Sequence, residues 1–196
     1  MRRVFLGVTG ASGAVYAKDL ITRLPEHDCE LHLCITPDAL TNINLELKKE
    51  YLTPQQFIND IDAKAVLHDY KNFAAPVSSG SFMVDSYIIA PASMGFVGRA
   101  AGGISSNLIE RCADVALKER RKLLILFREM PLNLIHLENL TLLTRAGAVI
   151  LPAAPGFYHN PSGIDELISF VTGKIFDIIG IEHNLYKRWG DEPQSV

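Results

Sequence analysis

Functional groups in this chain gather where apolar runs break off. The first run, Val4 to Val8, passes into Gly7-Val8-Thr9-Gly10-Ala11-Ser12-Gly13. Glycines there let backbone N–H groups approach an anion, and the start of a following helix favours negative charge. A tight strand-to-helix turn with no ligand is the plainer alternative. Gly-Lys-Ser/Thr is missing, so the segment is not a P-loop, and it is not a clean G-x-G-x-x-G. The run Glu30 to Thr36 ends in a hydroxyl, where a dinucleotide site would place an acid against the ribose. Thr36 and the Gly-rich loop therefore suit a single phosphate better than NAD, with a mononucleotide such as FMN as the leading ligand.

Other run ends add to this. Pro91-Ala92-Ser93-Met94-Gly95 offers a hydroxyl among small residues, equally readable as a helix N-cap. Arg128-Glu129-Met130-Pro131 sets a charged pair directly after a buried run. Arg128 can hold an anion through its planar fork and Glu129 can act as general acid or base, although a solvated turn uses the same residues. Arg111 and Lys118 lie seven positions apart, nearly two helical turns, so both project from one face and can flank a phosphate. Asp114 shares that face and can instead pair with either. Lys118-Glu119-Arg120-Arg121-Lys122 suits a helix C-terminus rather than a nucleic-acid patch. After Leu151, a loop stiffened by proline and glycine carries Phe157 and Tyr158, a plausible binding wall. Lys174 borders an apolar stripe, where snorkelling from the core edge also explains it. The single tryptophan, Trp189, follows Arg188 in a polar tail and can pack on an interface or over a cation.

These groups must be positioned by alternating strands and helices. Strands are expected at Val4–Val8, Glu30–Thr36, Tyr87–Ala90, Leu123–Phe127 and Ala148–Leu151. Helices are expected at Ala14–Leu24, Asp38–Lys48, Ser93–Gly103, Asn107–Arg121, Leu134–Ala146 and Ile164–Ile179, with a short helix and connector over Pro54–Leu67. This pattern predicts a three-layer α/β fold, Rossmann-like or flavodoxin-like: a doubly wound, mostly parallel sheet whose ligands lie beyond the carboxyl ends of the strands. Residues 1–196 read as one domain with a polar tail from about 181, ending in a mobile Pro193-Gln194-Ser195-Val196.

Composition narrows the classes. The chain has 196 residues, 48% hydrophobic and 21% charged, with a formal net charge of −3. Disorder and low complexity are excluded, and a basic nucleic-acid or anionic-membrane surface is not expected. No apolar run is long enough to span a bilayer, so a cytoplasmic location is expected. Cys29, Cys34 and Cys112 lack C-x-x-C spacing and read as reduced structural thiols. The histidines show neither H-x-x-x-H nor H-E-x-x-H, so no metal site is expected.

Together the motifs resemble the UbiX-type flavin prenyltransferases. The resemblance runs through Gly7–Ala14, Asn107–Arg111, Asp114–Arg121, Arg128–Pro131, His136–Asn139, Gly147–Tyr158 and Arg188–Gly190, nearly the whole chain. The runs Asn107–Arg121 and Pro152–Tyr158 are its most specific parts. It implies metal-free transfer of a dimethylallyl unit from dimethylallyl monophosphate to N5 and C6 of reduced FMN. The prenylated FMN would serve a UbiD-type decarboxylase, often in ubiquinone biosynthesis, and the enzyme would form homo-dodecamers built from trimers. On this resemblance Gly10, Ala11, Ser12, Thr36, Ser93, Met94 and Arg128 would bind FMN. Arg111, Lys118, Tyr158 and Lys174 would hold the donor phosphate. Glu129 would move protons, Ser12 would act near N5, Glu46 would reach a neighbouring subunit's site, and Trp189 would cover the allylic group.

Some positions depart from the family pattern. Lys174 stands where Arg is common, keeping the charge but losing the fork. Ala92 replaces a frequent Cys, Thr36 a frequent Ser, and Phe96-Val97-Gly98-Arg99 is less typical. Rival readings are an FMN-dependent cysteine decarboxylase of similar fold, a non-catalytic FMN-binding or electron-transfer protein, and a ligand-free interaction module. Against the first, Gly95 stands where that group's Pro-Ala-Ser-Ala-Asn motif wants Asn, and a Pro-x-Met-Asn segment is missing.

Overall fold

A computed structural model describes residues 1–190. Its strands are β1 (Arg2–Val8), β2 (Cys29–Ile35), β3 (Val66–His68), β4 (Ser86–Ala92), β5 (Lys122–Phe127) and β6 (Val149–Pro152). They form one 6-stranded sheet in the order β3-β2-β1-β4-β5-β6, parallel throughout. The helices are α1 (Ala14–Arg23), α2 (Pro37–Leu47), α3 (Pro54–Asp60), α4 (Met94–Ala101), α5 (Leu108–Lys118), α6 (Leu134–Ala146) and α7 (Ile164–Ile179). This is the expected doubly wound, Rossmann-like arrangement.

Alternate strand residues feed two cores. Val4, Leu6, Leu33, Ile88 and Leu124 meet Leu20 of α1, Ile43 of α2, Phe57 of α3 and Ile175 of α7. Phe5, Tyr87, Ile89 and Ile125 meet Phe96 of α4, Ile109 of α5 and Leu140 of α6 on the opposite face. Burial on both faces explains why β1, β4 and β5 read as apolar runs, whereas β2 alternates polar Glu30 and His32 with Leu31 and Leu33. The chain therefore places α5 and α7 on opposite sides of the sheet.

Several element boundaries differ from expectation; β4, expected to stop at Ala90 before Pro91, runs from Ser86 to Ala92. The connector after α3 contains β3, which pairs only with β2, from His32↔Val66 to Cys34↔His68. Three residues are too short to show a period. Helix α5 stops at Lys118, before the expected Arg121, because Arg120 takes a left-handed φ of 53°. The tail does not leave the fold at Ile181: that residue is buried, and residues 183–189 return against α7. The segment Pro193-Gln194-Ser195-Val196 lies outside the described residues. Cys29, Cys34 and Cys112 are free and buried, and burial pushes the Cys34 thiol up to about 12. No helix among the described residues is long and apolar enough to cross a membrane.

The strand order reverses between β1 and β4, so the loops after these strands diverge and open a crevice. Pro91 has no N–H to give the ladder, and β4 slips register against β5 between Ile89 and Ala92. Its carbonyl instead accepts from the Thr9 N–H at 3.2 Å and the Thr9 hydroxyl at 3.0 Å. The same hydroxyl oxygen accepts from the Ser93 N–H at 2.8 Å. Thr9→Val should therefore cost about 1–3 kcal/mol in denaturant unfolding, while Thr9→Ser should retain most of the stability. Equal loss in both variants would assign the effect to packing rather than to the hydroxyl.

Candidate functional site

The crevice holds a cavity of about 430 Å³ whose lining includes Thr9, Gly10, Thr36, Ser93, Arg99 and Glu110. That size suits a small ligand. Gly10 leaves no room for a side chain, since a Cβ there would lie 2.6 Å from the Asp38 Cβ. The Thr36 hydroxyl accepts from the Ala39 N–H at 3.2 Å, and the Ser93 hydroxyl accepts from the Phe96 N–H at 3.2 Å. Both are thus helix N-caps, and both line the cavity. The N-termini of α2, α4 and α5 meet here, with Asp38 and Glu110 in the first turns of α2 and α5. Helix α4 has no acid in its first turn. Its positive end is the one left to an anion from outside the chain.

Arg99 and Glu110 were not assigned from the sequence. The Glu110 side chain is 0% exposed and meets the Arg99 Nε at 2.5 Å. It also accepts from the Ser106 N–H at 2.7 Å and the Asn107 amide at 2.8 Å. Burial pushes its carboxyl up, but hydrogen bonds from Ser106 and the bond from Arg99 outweigh burial and hold it below the usual range. The signal available in the sequence was the Asn107-x-x-Glu110 spacing, that of a capping box.

Ala11, Ser12, Met94 and Arg128, the rest of the expected flavin set, are not among the residues that line the cavity. Ala11 is buried, and Ser12 is exposed on the same loop. Met94 opens α4 beside Ser93. Arg128 follows β5 and is half-buried, and its Nε is buried with no hydrogen-bond partner among the described residues. Glu129 is half-buried and accepts from the Met130 N–H at 3.2 Å. Glu46 does not reach outward within this chain. Its carboxylate accepts from the Gly13 N–H at 3.0 Å and the Ala14 N–H at 2.7 Å. The positive end of α1, expected to face a ligand phosphate, is answered internally.

The four residues expected to hold the donor phosphate separate into two groups. Arg111 and Lys118 do share a face of α5, but Arg111 pairs with Asp114 at 2.8 Å and Lys118 pairs with Glu119. The Arg111 Nε also donates to the Ser78 carbonyl at 3.3 Å. Lys174 lies on α7, across the sheet, with its Nζ 3.6 Å from Asp177 and 5.9 Å from the Tyr186 ring centroid. Tyr158 packs edge-on against Phe170 of α7 at 5.9 Å and against Trp189 at 5.4 Å. Tyr158, His159, Arg188 and Trp189 contribute to a separate cavity of about 260 Å³. Arg111 and Lys118 thus stand on the side of the sheet that α5 covers, and Lys174, with the Tyr158 ring packed on the same helix, on the side that α7 covers.

Residues 1–176 match the family model described as Flavoprotein. A flavin prenyltransferase UbiX from Alkalihalophilus pseudofirmus is 44% identical over 190 residues, covering 95% of each chain. The chain belongs to the flavin prenyltransferase family. Within that family, AnUbiX (PadA1), solved in complex with FMN and dimethylallyl pyrophosphate, matches with a TM-score of 0.89 and 36% identity over 98% of this chain and 99% of its own. A dodecameric FMN-dependent UbiX-like decarboxylase from Escherichia coli O157:H7 matches with a TM-score of 0.86 and 37% identity, covering 95% of this chain and 98% of its own. The peptidyl-cysteine decarboxylase EpiD, at 18% identity and a TM-score of 0.55, shares the fold alone.

The Glu110 carboxyl is held low in the fold, so its stabilising effect is complete above the unfolded glutamate range of about 4.3 and is lost as pH falls through its lower folded value. Glu110→Gln should lower stability at pH 7 by about 1–3 kcal/mol and flatten the acid limb of a stability-against-pH curve. Superimposable acid limbs for the wild type and the variant would refute the assignment.

Proposed function

We propose that this protein joins the dimethylallyl group of dimethylallyl monophosphate to N5 and C6 of reduced FMN, closing a fourth ring and releasing phosphate. The observation that carries this reading is the near full-length agreement with AnUbiX, whose solved complex contains FMN and a dimethylallyl donor. Two N-cap hydroxyls and the N-terminus of α4, with no acid in its first turn, suit the crevice to a flavin phosphate, and the buried Arg128 Nε, without a hydrogen-bond partner among the described residues, is suited to an anion as well. Gly10, Ala11, Ser12, Thr36, Ser93, Met94 and Arg128 would hold FMN. Reduced FMN supplies the nucleophilic N5 and C6.

The chain's own residues supply the rest. Breaking an allylic C–O bond builds negative charge on phosphate and positive charge on carbon. Arg111, Lys118, Tyr158 and Lys174 stabilise the first, and the aromatic face of Trp189 stabilises the second. Glu129 moves the proton between flavin and phosphate, and Ser12 acts near N5. A monophosphate carries its charge away without help from Mg²⁺, so the reaction proceeds without metal. The donor-binding residues lie on opposite faces of the sheet, so a second copy of the chain completes each site, as a trimer-based dodecamer would provide. Prenylated FMN then passes to a UbiD-type decarboxylase in the cytoplasm, with ubiquinone biosynthesis as the leading pathway. A second reading takes the diphosphate as donor, because dimethylallyl pyrophosphate is the ligand in the AnUbiX complex.

Anaerobic incubation of the protein with dithionite-reduced FMN, donor and a chelator tests this directly. The extracted flavin should gain the mass of one five-carbon unit with the monophosphate. Gain with the diphosphate alone would establish the second reading, and unmodified FMN with either donor would overturn both. Glu129→Gln should slow transfer by about 10²–10⁴-fold with FMN still bound. Unchanged turnover would remove Glu129 from proton transfer.

A further inference from the structure

One half-buried carboxylate outside the expected site gathers much of the C-terminal segment. Asp177 lies in α7 with its side chain 21% exposed. It accepts from the Tyr186 hydroxyl, meets the His183 Nε2 at 3.0 Å, and accepts from the Arg188 Nη2 at 2.6 Å. The Lys174 Nζ, one helical turn away, lies 3.6 Å from its other oxygen. Burial pushes the Asp177 carboxyl up, but hydrogen bonds from Arg188, Tyr186 and His183 outweigh burial and hold it well below the usual range. Burial and then the bond to Asp177 push the Tyr186 phenol up to about 12.

Gly173 adds an independent, steric observation. It sits four residues before Asp177, so both face the same way. A Cβ on Gly173 would lie 2.6 Å from the Tyr186 Cδ1 and 2.9 Å from the His183 Cε1. The helix is therefore notched where the returning segment crosses it. From Tyr186 a line of rings continues through Phe170 at 4.8 Å and Tyr158 at 5.9 Å to Trp189 at 5.4 Å. Notch, carboxylate and ring contacts all act on one segment, and that segment ends in the tryptophan.

We propose that Asp177 is a positioning residue: across the clearance left by Gly173 it docks residues 183–189 on α7, and so sets Trp189 and Lys174 for the prenyl donor. The part concerning the donor rests on the prenyl-transfer reading above. Asp177 touches neither flavin nor donor in this account and works through Tyr186, Arg188 and Lys174. Asparagine keeps its shape and one acceptor oxygen but loses the charge that holds the two cations.

The test uses the full-length, FMN-loaded assembly as wild type, Asp177→Asn, Asp177→Glu and Gly173→Ala. Trp189 is the single tryptophan, so its fluorescence anisotropy reports docking of this segment directly. In D177N and G173A the anisotropy should fall. The KM for dimethylallyl monophosphate should rise at least about tenfold, with the KM for FMN unchanged within about twofold, and D177E should recover part of the loss. Unchanged anisotropy in D177N overturns the docking. Lower thermal stability with an unchanged donor KM overturns the positioning role, leaving only a structural one. If wild type transfers no prenyl group yet D177N still lowers the anisotropy, the docking is supported and the failure belongs to the prenyl-transfer reading.

Discussion

The hydroxyl of Thr9 joins two loops that the topology drives apart. In a doubly wound sheet the chain leaves the switch point in opposite directions, which opens a crevice but also leaves its walls unlinked. Thr9 donates to the Pro91 carbonyl and accepts from the Ser93 N–H, so one side chain fixes the spacing between the β1 and β4 loops. The Pro91 carbonyl near the end of β4, where the register against β5 shifts, is the acceptor for both the N–H and the hydroxyl of Thr9. Thr9 and Ser93, joined by this link, line the cavity together with Gly10 and Thr36.

Around the crevice the chain's own acids meet most of the positive charge that its helix ends create. Glu46 occupies the start of α1, Asp38 lies in the first turn of α2, and Glu110 lies in the first turn of α5 while binding Arg99. Helix α4 lacks such an acid, and the Arg128 Nε has no hydrogen-bond partner among the described residues. Of the helix ends at the cavity, the start of α4 is thereby the one without an acid of its own in the first turn. The same logic operates on α7, where one carboxylate collects Tyr186, His183 and Arg188.

Much of this was legible in the sequence, for identifiable reasons. Strands buried on both faces appear as apolar runs, and the switch-point rule directs attention to the residues that follow them. Gly10, Thr36 and Ser93 were found in this way. β3 was not, because three residues carry no period. The partner of Glu46 was not, because a contact between α2 and the loop before α1 depends on how those elements pack. The separation of Arg111 from Lys174 had a deeper cause. Right-handed crossovers place α4, α5 and α6 together, since each lies between strands that follow one another across the sheet. No strand follows α7 among the described residues, so that rule does not assign it a face.

With Arg111 and Lys174 on opposite sides of the sheet, the proposed donor site requires a second copy of the chain. The most direct measurement mixes two damaged chains, Arg111→Ala and Lys174→Ala, by co-assembly at equal amounts, and assays prenyl transfer against each alone. Each variant alone should be inactive. The mixture should recover about a quarter of wild-type activity, because random pairing leaves about one interface in four with both side chains present. A mixture as inactive as its components would mean that Arg111 and Lys174 serve the same chain's site, contradicting the account.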